Sequence, residues 1–430
     1  MYVSASEIFK MRMNLKPCVN RLTFTRIAFR QIISTLLKQK YTMTMSVLQI
    51  ALTLAVISNG LFIVSQRLDI IQRPSGIDEP HIFILTSSGF TKNFNPQISI
   101  QSDLAKLRQM PNIVNAVATY SFPYSGSGDW DELQTASGNN QNMVPVASYK
   151  LDEHGIDALG LSLIAGKNFN PSEVIWQTEN NRTFPSVVII TRSVATELFN
   201  TVDWSSVVGK TIFINAVHSV VVKGIVKQLQ APWDPAGKIE NSVIYPIVVT
   251  RNSTRYLIRA KPTMLQTTIA ETEQYLAMSN QQRMIRKIQT IETIKKQVYG
   301  PDIAAITILM VVMTALTIIA AMGIAGMTSL NVLKRHKQIG IRRALGATKI
   351  DIINHFFVEN IIQTTFGVFI GCILAVGLSV FLVAQYALPK LPISYILISV
   401  FCLYILGTLA ILKPAIRAMN VSPAEATRSQ

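Results

Sequence analysis

Four long apolar runs with charge-free centres limit this chain more than any other feature, one lying before a long polar stretch and three after it. Each exceeds the roughly 20 residues a helix needs to cross a bilayer. An ionised side chain at the centre of such a helix costs about 2.5–3.5 kcal/mol on insertion scales, so their absence marks membrane spans. The spans are assigned to residues 41–66, 301–333, 352–388 and 391–413. The first is too long for a signal-peptide core of about 7–15 residues and is read as a retained span. The expected fold class is an integral membrane α-helical protein with four transmembrane helices and a large external α+β domain, residues 67–300, between the first and second spans.

Orientation follows from charge. Residues 334–351, KRHKQIGIRRALGATKID, form a short basic loop between two apolar runs, and Lys and Arg beside spans are retained on the cytoplasmic side. Both termini are then cytoplasmic, in agreement with Lys413 at the end of the fourth span and with Arg417 and Arg428 in the tail, residues 414–430. The formal net charge of +16 could suggest a nucleic-acid partner. Its distribution excludes one: residues 1–40 hold eight basic residues against Glu7, while residues 67–299 hold 22 basic and 19 acidic. The excess charge marks the inner membrane face. Within the basic loop, Gly346 stands where a helix C-terminal cap is wanted, and Thr348 and Asp351 have capping-box spacing for a new helix. The loop thus reads as helix, break, helix, a compact lever along the membrane.

Along the rest of the chain, Leu22, Phe29, Ile32, Ile33, Leu36 and Leu37 share one face of an interfacial amphipathic helix in the cytoplasmic N-terminal segment. In the third span, Gly367, Gly371, Ala375 and Ser379 recur every four residues. Such a ridge admits close helix approach, either within the chain or at a subunit interface. Ala320, Ala321 and Gly323 give the second span a similar smooth stretch. Pro389, Lys390 and Pro392 turn the last two spans into a hairpin. In the external segment a helix is expected at 102–109, with strands at 113–117, 187–190, 211–215, 220–226, 243–249 and 256–260. Residues 125–142 read as a polar loop that includes the acidic cluster Asp129, Trp130, Asp131 and Glu132. Residues 263–299 carry apolar positions at helical spacing and read as one stalk helix, interrupted at Gly300-Pro301.

Several chemistries lack their motifs. Gly209-Lys210-Thr211 lacks the glycine five residues earlier that a phosphate-binding loop requires. His81, His154 and His218 have no zinc-like spacing, and no G-x-S-x-G elbow occurs. Cys18, Cys372 and Cys402 all lie outside the external segment, which therefore has no disulfide to form. With no mid-membrane ionisable group for ion coupling, transport by this chain would need energy from a partner.

The loop sequence KQIGIRRALGA, residues 337–347, strongly resembles the cytoplasmic loop of the FtsX/MacB-like permeases of type VII ABC transporters. The likeness extends to GIDALGLSLIAGKNF at 155–169, to 187–199 and 208–226, and to the ending around Pro414, Ala415, Ile416 and residues 422–426. The resemblance implies a permease without a fused ATPase, not itself an enzyme, in a bacterial inner membrane. It binds no cofactor of its own; ATP and Mg belong to a cytoplasmic ABC ATPase dimer. The loop becomes the coupling helix, residues Gln338, Ile339, Gly340, Ile341, Arg342, Arg343, Ala344, Leu345 and Gly346. Ile339, Ile341, Ala344 and Leu345 would be its apolar contacts and Arg342 and Arg343 its charged ones. Gln338 stands where the family usually has Glu, which leaves open whether the second permease copy is identical or a paralogue. A periplasmic adaptor and outer-membrane channel are further expected partners. The implied function is mechanotransmission, with export of a peptide, antibiotic or toxin; lipoprotein release or regulation of a cell-wall hydrolase would use the same architecture.

Overall fold

The computed structural model describes residues 40–138, 142–178, 183–233, 237–386 and 389–420. The amphipathic helix expected at 22–37, Cys18 and the ending at 422–426 lie outside them. The chain divides into two units, residues 1–71 with 302–430, and residues 72–301 between them.

The first unit opens with α1 (Lys40–Gln72), and four helices of the described residues are long and apolar enough to cross a membrane. α1 is the central one, the most enclosed of the four by the rest of the chain.

The inserted unit holds two sheets. The smaller uses β1 (Ile82–Gly89), α2 (Pro96–Leu107) and β2 (Ile113–Thr119). The chain then leaves for the larger sheet, built from β3 (Asp129–Gln134), β4 (Val144–Leu151), the short α3 (Gly155–Leu159), β5 (Leu163–Gly166), β6 (Ile175–Thr178), β7 (Val187–Thr191), α4 (Arg192–Phe199), β8 (Thr211–Ile214), β9 (His218–Val226) and β10 (Ser242–Thr250). It returns through β11 (Ser253–Ala260), α5 (Leu265–Ser279), β12 (Arg283–Thr290) and α6 (Ile291–Val298). The smaller sheet has the order β12-β1-β11-β2, antiparallel throughout. With α2 and α5 it is a split β-α-β arrangement whose middle connection has been replaced by the larger sheet.

The larger sheet closes on itself. Its path runs β4-β3-β8-β9-β7-β10, and β10 also pairs with β4, so the ring has no free edge among those six strands. Leu133, Val146, Val188, Ile190, Ile212, Val222, Val243 and Tyr245 fill its core. β10 pairs with β4 and β7 through residues 242–246 and with β6 through residues 247–250, then turns directly into β11.

Two sequence expectations are corrected here. Residues 263–299 are not one stalk helix: β12 separates α5 from α6. Between Ile84 and Thr86 of β1 the partners on β12 step from Gln289 to Arg286, one residue more than the strand opposite, a β-bulge with Lys287 at φ 49°. The extra residue brings Ile285 and Ile288, three apart, against the same core. A bulged strand therefore imitated helical spacing. Residues 125–142 are not all loop, since β3 pairs with both β4 and β8. Polar side chains hid it: of its ring-core positions only Leu133 is a large apolar residue. α2 begins six residues before the expected start, at Pro96, with the Asn95 side chain accepting from Ile98 N at 3.1 Å.

Two polar clusters organise the inserted unit. Arg283, its side chain fully buried, pairs with Asp103, which also accepts from Tyr256 Oη at 2.6 Å. Glu79, just after the first span, accepts from Lys295 Nζ of α6 at 2.9 Å and from Tyr124 Oη at 2.6 Å, and also from Ser75. The segments that enter and leave this unit are thereby tied together. Burial alone would raise the Glu79 carboxyl pKa, but the hydrogen bonds from Lys295, Ser75 and Tyr124 hold it below its usual value.

All four tryptophans, Trp130, Trp176, Trp204 and Trp233, lie in this unit, so their emission reports its unfolding alone. Asp103→Ala leaves a buried guanidinium unpaired and should cost about 3–5 kcal/mol in urea denaturation followed this way. The depressed Glu79 pKa has a defined sign: its stabilisation is complete above the ordinary glutamate pKa, about 4.3, and is lost as pH falls through the lower folded value. Glu79→Gln should accordingly flatten the acid side of the stability profile; an unchanged profile would exclude this role.

Candidate coupling site

The second span, α7 (Gly300–Lys334), carries Pro301 in its first turn, where the missing N–H costs nothing. It ends at the basic loop, which forms α8 (His336–Ala344); α9 (Lys349–Tyr386) and α10 (Ile393–Met419) follow. α10 continues through Pro414 rather than ending at Lys413.

Small residues set these helices against α1. A Cβ added at Gly367 would fall 2.6 Å from Ile50 Cγ2, and one at Gly371 would fall 2.9 Å from Leu54 Cδ2. Ala375 is fully buried and its carbonyl accepts from Asn59 Nδ2 at 3.1 Å. Ser379 Oγ accepts from Leu391 N at 3.2 Å, within the hairpin of the last two spans. The four-residue ridge thus packs inside the chain. Gly323 of α7 lies against the Gln49 side chain, which donates to Ile319 O at 2.8 Å.

Alternation of side chains divides α8 into two faces. Ile339 and Gly340 are buried, with His336 and Arg343 half-buried, at the i, i+3, i+4, i+7 spacing of one helical stripe. Lys337, Gln338, Ile341, Arg342, Ala344 and Leu345 are exposed, and Leu345 is 83% exposed despite being apolar. Ile339 is the principal revision to the sequence reading. Expected to contact a partner, it is instead packed with Val332, Ile352, Phe356, Ala415 and Ala418, where it anchors the helix. Arg343 also turns inward, donating to Met419 O at 3.1 Å, where a cation complements the C-terminal end of α10.

Three further contacts fix the angle of α8. Arg335, at its N-cap, forms a two-pronged pair with Glu359 of α9, Nη1 to Oε2 at 3.0 Å and Nη2 to Oε1 at 3.2 Å, both side chains nearly buried. Gly346 adopts φ 102°, a conformation that suits glycine, and ends the helix. Thr348 and Asp351 then start α9 reciprocally: Thr348 N donates to Asp351 Oδ2 at 3.0 Å and Asp351 N to Thr348 Oγ1 at 3.2 Å. The Arg335–Glu359 pair was missed by sequence reasoning. The available signal was Glu359 itself, the sole acid between Asp351 and Glu425.

No metal-binding group of His, Cys, Asp and Glu occurs among the described residues. The arrangement presents a rigid helix with an apolar and cationic outer face.

Comparison with known proteins gives two family matches, a MacB-like periplasmic core domain over residues 42–275 and an FtsX-like permease C-terminal domain over residues 310–423. The macrolide export ATP-binding/permease protein MacB of Hahella chejuensis (strain KCTC 2396) is 25% identical over 58% of this chain and 38% of its own length. The ABC transporter permease YknZ of Bacillus subtilis (strain 168) is 22% identical over 76% of this chain and 78% of its own. The crystal structure of the periplasmic region of MacB from Actinobacillus actinomycetemcomitans aligns with 53% of this chain and 97% of that one, at 16% identity and a TM-score of 0.33.

Removing one member of the buried pair should be costly: Glu359→Ala should destabilise the membrane unit by about 3–5 kcal/mol, measured by thermal denaturation in detergent. The double variant Arg335→Met with Glu359→Leu should regain most of that loss, because no unpaired charge remains. Equal destabilisation in both would show that the pair's charge is not what matters.

Proposed function

The chain belongs to the FtsX/MacB-like permease family of type VII ABC transporters, a multi-pass membrane protein, and on that premise we propose that α8 couples it to a cytoplasmic ABC ATPase. In this reading ATP hydrolysis occurs on the partner, with its own Mg, and the chain converts ATPase closure into movement of the inserted unit on the other side of a bacterial inner membrane. Both termini lie in the cytoplasm, and a second permease copy completes the transporter. The exported compound is met by the inserted unit rather than carried along a polar path between the spans.

The observation that carries the proposal is the division of labour on α8. Its inner face is anchored by Ile339, Arg343 and the Arg335–Glu359 pair, while Ile341 and Leu345, four residues apart, stay exposed beside Arg342. An exposed apolar pair on a braced helix fits a groove on a partner. A loosely held helix would dissipate force; a buried, bidentate ion pair at its pivot resists that.

The test is purification of the tagged chain from its native membranes, identification of any co-purifying ABC ATPase, and ATP hydrolysis in nanodiscs. Leu345→Asp and Arg342→Glu should each reduce co-purification or hydrolysis at least tenfold while leaving the denaturation profile unchanged, as expected for loss of an interface contact of about 1.4 kcal/mol or more. Wild-type ATPase association by both variants would remove α8 from the interface.

A further inference from the structure

Where β10 turns into β11, the inserted unit opens into a cleft of about 500 Å³. Its wall includes Tyr120, Lys150, Arg251, Asn252 and Arg255, together with Pro96, the first residue of α2. The topology assembles these residues from both sheets. Tyr120 directly follows β2, Lys150 belongs to β4 of the closed ring, and Arg251 and Asn252 form the turn that joins the ring to the smaller sheet.

The electrostatics are uneven. Lys150 is paired with Asp129. Arg255 is held by neutral acceptors instead: Nη1 donates to Tyr120 O at 2.8 Å and to Ser127 Oγ at 3.2 Å, and no carboxylate among the described residues pairs with it. The Arg251 guanidinium lies 4.0 Å from the centre of the Tyr120 ring and that of Arg255 lies 5.9 Å from it. One aromatic ring therefore orients two guanidinium groups in the same wall. The N-terminal end of α2 adds a fixed positive partial charge.

We propose that this cleft is a binding site for a small oxyanionic ligand, a carboxylate or a phosphate, engaged by Arg255. Guanidinium forks match both oxyanions in geometry and charge, and the flanking hydroxyl and amide groups supply further donors. The proposal stands apart from the coupling role of α8, because it concerns ligand binding by the inserted unit whether or not an ATPase is engaged.

The test is isothermal titration calorimetry of the full chain in nanodiscs of neutral lipid, with citrate and, separately, inorganic phosphate as probes and choline as the cationic control. At least one anion should bind saturably, more weakly as salt is raised. Citrate alone would assign a carboxylate ligand, and phosphate alone a phosphoryl one. Arg255→Gln should weaken binding at least tenfold. Asn252→Asp, which places a carboxylate on an exposed residue of the wall, should weaken it several-fold with wild-type tryptophan emission, and it decides the matter alone if Arg255→Gln perturbs that emission. Saturable binding of neither anion, equal affinity for choline, or unchanged affinity in Asn252→Asp would overturn the assignment.

Discussion

A guanidinium and a carboxylate buried at the end of the membrane unit, Arg335 and Glu359, tie the exit of α7 to the start of α9, and the orientation of α8 depends on that tie. Such a pair contributes little net stability, since both charges must be stripped of water, but its geometry is demanding. Two parallel hydrogen bonds fix both position and direction. With Ile339 seated beneath the helix and Arg343 on the end of α10, the short α8 is held at several points on one face and left bare on the other. One short helix and the residues that flank it are therefore both braced and exposed.

Behind that brace, the spans rely on close contact. Lipid tails are as apolar as leucine, so helices in a bilayer gain little from hydrophobic burial and associate through packing and interhelical hydrogen bonds. Gly367, Gly371 and Gly323 let neighbouring helices approach α1, and Gln49 and Asn59 each donate across to a backbone carbonyl on another helix. The surface of α7 is different: the rest of the chain leaves most of its apolar stretch uncovered. In the inserted unit the comparable device is the tie from Glu79 to Lys295 and Tyr124, which fastens the incoming segment to the outgoing one.

Much of this was legible in the chain itself. Charge-free runs announce helices able to span a bilayer because each ionised group in it is expensive. The break at Gly346 and the restart at Thr348 and Asp351 were readable because capping is local chemistry, completed within four residues. Strands at 187–190 and 243–249 stood out because they are buried on both faces and read as continuous apolar runs. β12 and β3 were not readable. One is bulged, so its period shifts; the other has polar side chains and is held by its two neighbours.

By itself the sequence determined which four runs are long and apolar enough to cross a membrane, how much of the chain lies between the first two, and which loop is basic, since these depend on the composition of contiguous residues and on the cost of transferring them to lipid. Only the tertiary structure decided which face of α8 is free, that Ile339 points inward and Leu345 outward, that Arg335 meets Glu359, and that Arg251 and Arg255 share one aromatic ring. Those outcomes depend on residues brought together from far apart in the chain. Burial and pairing are properties of the surroundings a side chain acquires, and no local spacing specifies them.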